Sequence, residues 1–212
     1  MIIDLHLHTR RYSGCSSIEI DHLLPRAAQC GLDGIVLTEH GKLWPEARLA
    51  EARAEAATYG LLLLCGQEVT CFHQGRRQDF LVYGLDESLG GFETPETLIE
   101  LVHSRGGVVT AAHPFKPSRL GVGYHGAGDR VLDLDLDAIE LQHPDHDEAA
   151  KAKVRAVAEK RGLPMTGGSD AHDLFQVGTY ATRFERRIET IADLVAEIKA
   201  GRVTPVNGAG WR

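Results

Sequence analysis

Apolar residues recur along this chain with two different periods. Short runs rich in Ile, Val and Leu fall at 2–7, 34–38, 61–65, 80–83, 108–112, 138–141 and 163–166. Runs of that length bounded by Gly, Asp or Pro read as buried strands. Most of the stretches between them read as helices. Residues 45–59 are rich in Ala, Glu and Arg and stop at Gly60. Thr94-Pro95 opens a second helix, with Leu98, Ile99 and Val102 on one side and Gly106-Gly107 after its end. Residues 147–161 and 190–200 stop at Gly162 and Gly201. Pro just inside the start and Gly just past the end are the expected helix punctuation. Residues 17–31 also have helical spacing, and Pro25 must start, kink or break that helix. Strands alternating with helices predict βαβ units and a mostly parallel sheet. Seven strands suggest a closed barrel, with an open doubly wound sheet as the alternative. No repeat or linker interrupts the pattern, so a single α/β domain over 1–212 is expected, its last part (about 173–212) packing on the barrel. The glycine-rich loop 116–129 is the longest irregular segment, either a functional lid or a surface excursion.

Composition narrows the classes. With 212 residues, 43% hydrophobic and 25% charged, the chain can bury a core without staples. No apolar run is long enough to span a bilayer. The first eight residues carry no basic region or cleavage site, so no secretory signal is expected. A net charge of −7 without a basic tract argues against long nucleic acid, though a short strand could enter a local basic site. Cys15, Cys30, Cys65 and Cys71 form no C-x-x-C pair. That argues against a disulfide framework or zinc ribbon and for a reducing cytoplasm. Neither a phosphate-binding G-x-x-x-x-G-K loop nor a G-x-S-x-G elbow occurs.

The eleven histidines matter for where they fall. Asp4, His6 and His8 alternate with Ile3, Leu5 and Leu7, so on a regular strand the polar three share one face. The second predicted strand runs into Glu39-His40, the third into Glu68, the fifth into His113 and the sixth into His143; Asp170 and His172 follow the seventh. The C-terminal strand ends of a parallel barrel meet on one face, which builds the active site. Histidine with carboxylates and no required thiolate suits Zn²⁺, Mn²⁺ or Fe²⁺.

Taken in order, Asp4-Leu5-His6-Leu7-His8-Thr9, Thr38-Glu39-His40-Gly41, Gly66-Gln67-Glu68, Ala112-His113-Pro114 and Gly168-Ser169-Asp170-Ala171-His172 resemble the successive motifs of the PHP (polymerase and histidinol phosphatase) family. The tail, with Gly178, Phe184 and Gly201-Arg202, resembles that of small stand-alone members. The resemblance implies a distorted seven-stranded (β/α) barrel, one to three divalent ions and hydrolysis of phosphate esters. It implies that His6, His8, Glu68 and Asp170 hold one ion, that Glu68 bridges to a second on His113, and that His40 and His172 hold a third. A metal-bound hydroxide would attack phosphorus, with no protein nucleophile. Expected substrates are a small phosphomonoester, a nucleotide or a short oligonucleotide end. The other readings are a metal-dependent amidohydrolase and a catalytically weak binding or scaffold module.

Two departures from the family stand out. The turn after the first motif reads Tyr12-Ser13-Gly14-Cys15, where relatives commonly carry Asp or His, so Cys15, Glu39 or water would complete the third site. The fourth strand, from Asp79 to Leu85, lacks the histidine some members supply, which weakens the second site unless His143 compensates. Adjacent residues on a strand point oppositely, so His40 is the expected ligand and Glu39 its supporting neighbour. His146 is expected to be solvated. For substrate phosphate the candidates are Lys116, Arg119, Arg183 and His125.

Overall fold

The computed structural model describes residues 1–92, 94–118 and 123–208. In chain order they form β1 (Ile2–Leu7), α1 (Ile20–Gln29), β2 (Gly34–His40), α2 (Glu46–Thr58), β3 (Leu62–His73), β4 (Arg76–Tyr83), α3 (Pro95–Ser104), β5 (Val108–Ala111), β6 (Ala138–Gln142), α4 (Glu148–Arg161), β7 (Met165–Gly167), β8 (Tyr180–Phe184), α5 (Ile191–Lys199) and β9 (Val203–Asn207). A short 3-10 turn, Gly128–Leu132, precedes β6.

The helices start and stop where local chemistry dictates. The Asp147 carboxylate accepts the Ala150 N–H at 2.8 Å to cap α4, and Gly162 ends it in the left-handed conformation at φ 67°. Thr190 and Asp193 form a reciprocal capping box at the start of α5. Pro25 lies inside α1 and neither starts nor ends it.

All nine strands belong to one sheet in the order β7-β6-β5-β4-β3-β2-β1-β8-β9. It curls almost shut: the His8 N–H reaches the Ala171 carbonyl at 3.1 Å, and the Gly167 N–H reaches Thr182 Oγ1 on β8 at 2.8 Å. The distorted barrel is therefore present, with three differences from the simple alternating pattern. First, β4 is antiparallel to both β3 and β5. Only Gln74 and Gly75, both at positive φ (50° and 73°), separate β3 from β4, and so short a link makes a hairpin and never a crossover. Second, β3 runs on to His73, so Glu68 lies in mid-strand, beside Leu81 of β4. Third, β8 and β9, which no apolar run announced, extend the sheet beyond β1 by antiparallel pairing.

The first strand also departs from strict alternation. Asp4 pairs with Ile35 and Leu7 with Leu37, so β1 holds one extra residue between them. Ile3 and Leu5 pack with Val36, Leu64 and Tyr83, whereas Leu7 joins Leu23, Leu24 and Leu37 on the helical side. Such a bulge re-aims the side chains beyond it. Asp4 thus leaves the face expected to hold all three polar residues; its Oδ1 accepts the N–H groups of Ser169 (3.0 Å) and His6 (3.2 Å).

Gly66 keeps β3 close to β4. A Cβ there would lie 2.6 Å from Tyr83 Cδ1 and 2.8 Å from the Val82 carbonyl oxygen. Tyr83 is fully buried and donates its hydroxyl to the Leu5 carbonyl at 2.9 Å, so it has little room to move. Gly66→Ala is expected to destabilise the fold by about 1–3 kcal/mol through overpacking. Urea unfolding of the variant checks this, and an unchanged midpoint would contradict it.

Candidate metal centre

The barrel brings the ligand-type residues into one cup. His6 lies near the end of β1 and His8 just after it, His40 closes β2, Glu68 and Asp79 come from the two strands of the β3–β4 hairpin, and His113, His143, Asp170 and His172 follow β5, β6 and β7. Glu68 is the hub. Its Oε1 lies 3.0 Å from His113 Nε2 and 3.6 Å from His6 Nε2; its Oε2 lies 2.9 Å from His40 Nδ1 and 3.4 Å from His8 Nε2. Asp170 Oδ1 meets the same nitrogens of His6 and His8, at 3.4 and 3.2 Å. His172 leans its ring on His8 with centroids 4.6 Å apart and holds its Nδ1 2.8 Å from the Asp170 carbonyl oxygen. Two members of the set, His113 (φ 28°) and Asp170 (φ 46°), sit in backbone conformations unusual for residues with side chains. Such conformations cluster at functional sites.

The donor set fits divalent ions. His6 Nε2, His8 Nε2 and His40 Nδ1 are buried and make no sound hydrogen bond, although carboxylate oxygens lie opposite them. Buried imidazole nitrogens that crowd carboxylate oxygens without forming a good hydrogen bond are aimed at a third body. Among the described residues, four overlapping groups bring ligand atoms within 4.8 Å of one another: His6/His8/Glu68, Glu68/Asp79/His113, His8/His40/His172 and His6/His143/Asp170. Burial would raise the Glu68 carboxyl, but His6, His113 and His40 around it hold it well below the usual carboxylate range. Burial likewise opposes ionisation of Asp170, and His6, His143 and His8 hold it well below that range. Burial would lower His6, yet Asp170, Glu140 and Glu68 push it well above its ordinary value.

A consequence is measurable. An ion must displace the proton from His6 Nε2, so metal uptake is expected to release protons and to weaken as pH falls. Calorimetric titration in buffers of different ionisation enthalpy reads the proton count directly. A heat that does not depend on the buffer would remove His6 from the ligand set.

The remaining sequence candidates divide clearly. Glu39 is taken up by donors behind the cup: Thr9 N–H (3.1 Å), the Thr9 hydroxyl, Ser13 Oγ (2.5 Å) and Trp44 Nε1 (3.0 Å). Through Ser13, whose Oγ lies 3.3 Å from His8 Nδ1, it steadies the back of that ring. Cys15 lies exposed at the cleft with Sγ 3.3 Å from His40 Nε2, on the opposite edge of the ring from the nitrogen that faces Glu68. His143 is near enough to ligate, but the Asp145 N–H occupies its Nδ1 at 3.0 Å. The proton of the neutral ring therefore sits on Nε2, which donates to Asp170 Oδ2 at 3.2 Å. Burial pushes His143 down to about 4, so that ring is neutral. His146, expected to be solvated, is buried with Nδ1 against the Leu141 carbonyl.

Lys116 reaches into the cleft, with Nζ 2.7 Å from Asp145 and 3.3 Å from Asp170, and His125 lines the same wall. Arg119 lies outside the described residues. Arg183 does not belong to the site. It is exposed on β8 opposite Ile2, at the start of β1, while the histidines stand at that strand's other end.

Three residues escaped the sequence reading. Glu140, fully buried inside β6, accepts the His113 N–H at 2.8 Å and lies 3.2 Å from His6 Nδ1. Its signal was an acid inside an otherwise apolar run. Asp79 stands beside Glu68 and His113 where a fourth-strand histidine was missed. Arg77, two residues earlier, holds Asp79 with Nε at 2.8 Å. Arg77 and Asp79 join Glu68, His113, Lys116 and Asp170 around a cleft of about 400 Å³.

A curled α/β sheet with a buried histidine–carboxylate cup at its strand ends defines a divalent-ion protein. The chain belongs to the PHP domain family, whose pattern matches residues 4–126, and residues 148–203 match the PHP-associated segment. It is similar to the uncharacterized protein MJ1587 of Methanocaldococcus jannaschii, 26% identical over 156 residues, which covers 69% of this chain and 84% of the relative. Its fold resembles that of a predicted metal-dependent phosphoesterase of Bifidobacterium adolescentis (TM-score 0.68, 20% identity, 95% of this chain and 96% of that one). An amidohydrolase of Chromobacterium violaceum shares the fold equally well (TM-score 0.67, 18% identity, 97% and 98%). Among the described residues, no helix is long and apolar enough to cross a membrane.

Proposed function

We propose that this protein is a metal-dependent phosphoesterase acting on a small phosphorylated substrate: a phosphomonoester, a nucleotide or the end of a short oligonucleotide. The observation that carries the reading is the pairing of a cation-holding cup with protein cations at its mouth. His6, His8, Glu68 and Asp170 would hold one ion, Glu68, Asp79 and His113 a second, and His40 and His172 would contribute to a third. When bound, such ions lower the pKa of coordinated water and offset charge on phosphoryl oxygens. Zn²⁺, Mn²⁺ and Fe²⁺ all suit this nitrogen and oxygen set.

The chain's own residues do the rest. Glu140 fixes His6 and the backbone of His113 from behind, and Glu39 does so for His8 through Ser13. Lys116 brings a positive charge to the cleft wall beside Asp170, where a phosphoryl group would enter. This reading needs no protein nucleophile: Ser13 donates its hydroxyl to Glu39, and desolvation with the nearby carboxylates holds the Cys15 thiol above its ordinary value, away from the thiolate that nucleophilic attack requires.

The test is elemental analysis of protein purified without chelator, followed by a panel of phosphate monoesters, phosphodiesters and amides. About two ions per chain with ester hydrolysis supports the reading. Hydrolysis of amides alone would favour the amidohydrolase reading, which the shared fold with the Chromobacterium violaceum enzyme keeps in view. Absence of both metal and activity, even with added Mn²⁺, would favour a binding module.

A further inference from the structure

We infer that Arg77 anchors a terminal phosphate in the cleft and tunes it toward phosphomonoesters, an inference that rests on the phosphoesterase reading. Along β4 the side chains alternate, so Arg77 and Asp79 line the metal cleft while Arg76 and Gln78 line a separate hollow behind the hairpin. Asp79 is buried and held by Thr70 Oγ1 at 2.7 Å, which makes it a rigid post. Arg77 grips that post through Nε alone, at 2.8 and 3.0 Å from the two carboxylate oxygens.

That grip fixes the guanidinium plane and leaves its outer edge uncommitted. Neither Nη1 nor Nη2 has a hydrogen-bond partner among the described residues. A planar fork of donors held at its base is preorganised for a phosphate. The other cation on the described cleft wall is not free in this way, because Lys116 is paired with Asp145 and Asp170. The site of action is near at hand, since Asp79 shares its ligand group with Glu68 and His113. A phosphomonoester carries three non-bridging oxygens and a diester two. Ions in the cup would engage two, so only the monoester has a third for the Arg77 edge.

The experiment uses the full chain loaded with Mn²⁺, as wild type, Arg77→Gln and Arg77→Lys. Three quantities are read: Mn content, affinity for inorganic phosphate by calorimetry, and KM and kcat for p-nitrophenyl phosphate against bis(p-nitrophenyl) phosphate. Loss of one charge-assisted pair is expected to weaken phosphate binding of Arg77→Gln about tenfold or more. KM for the monoester should rise by a similar factor, while kcat/KM for the diester stays within about twofold and Mn content is unchanged. Arg77→Lys should recover part of the phosphate affinity but not the monoester preference. Parallel loss on both esters, unchanged phosphate affinity, or loss of Mn from Arg77→Gln would overturn the inference, the last by making Arg77 a support for Asp79. Should the wild type cleave neither ester, the phosphoesterase reading fails. The phosphate titration then judges the anchor by itself, and an equal affinity of wild type and variant rejects it.

Discussion

Replacing Glu68 by Gln is expected to strip the centre of most of its metal and to lower turnover by about a thousandfold or more. The substitution changes volume hardly at all, yet Glu68 is where four imidazoles meet: His6, His8, His40 and His113, all within 3.6 Å of its two oxygens. Among the described residues it is the carboxylate that belongs to two of the ligand groups, so its charge would serve adjacent ions together. An amide cannot bridge cations, and its NH₂ would point a proton at a nitrogen lone pair. Metal content and ester hydrolysis should fall together, while the far-ultraviolet circular dichroism of Glu68→Gln stays that of the parent. A variant that kept its full metal complement and turnover would remove Glu68 from the centre.

Glu140→Ala should weaken metal binding by about 10–100-fold, the usual effect of losing a group that orients ligands from behind. It should also destabilise the metal-free fold by about 1–3 kcal/mol for each donor left without a partner. Those donors are the His113 N–H and the His6 ring, both buried and both served by this carboxylate. Gly168 packs against the same corner: a Cβ there would lie 2.4 Å from His6 Cβ and 3.0 Å from Glu140 Oε1. Glu140→Gln separates the two effects. Its single amide oxygen still accepts from His113, so stability should return in part, whereas the charge felt by His6 does not. Urea unfolding in chelator and competition with a metal indicator measure the two quantities. Equal behaviour of the Ala and Gln variants in both would show that the charge of Glu140 is irrelevant to His6.

The sequence read correctly where the cause is local. The helices begin at Asp147 and Thr190 and end near Gly162 and Gly201 because caps act within one turn. The seven apolar runs each became a strand. The residues marked as ligands by their type and position, from His6 to His172, converge as strand-end residues of a barrel must. Asp79 carries no signal of its own in a fourth strand that lacks a histidine, although its carboxylate stands with Glu68 and His113. For His143 the residue type leaves ligand and loop residue both open, and a backbone N–H from Asp145 decides which nitrogen carries the proton.

What the chain determined by itself is the alternation of strand and helix, the inventory of ligand-type side chains and their order. What only the folded barrel decided is which of them meet. Glu140 and His6 touch across a separation of 134 residues, and His143 and Asp170 across 27. One extra residue in β1 puts Asp4 on a different face from the histidine rings, and a two-residue hairpin turns β4 so that Arg77 and Asp79 enter the cleft. Arg183 is excluded only because β8 runs antiparallel to β1, which carries that cation to the far end. Periodicity and capping act over a few residues and are written locally. Register, tautomer and the end of the barrel a side chain occupies depend on partners far along the chain, and those exist only once the sheet has closed.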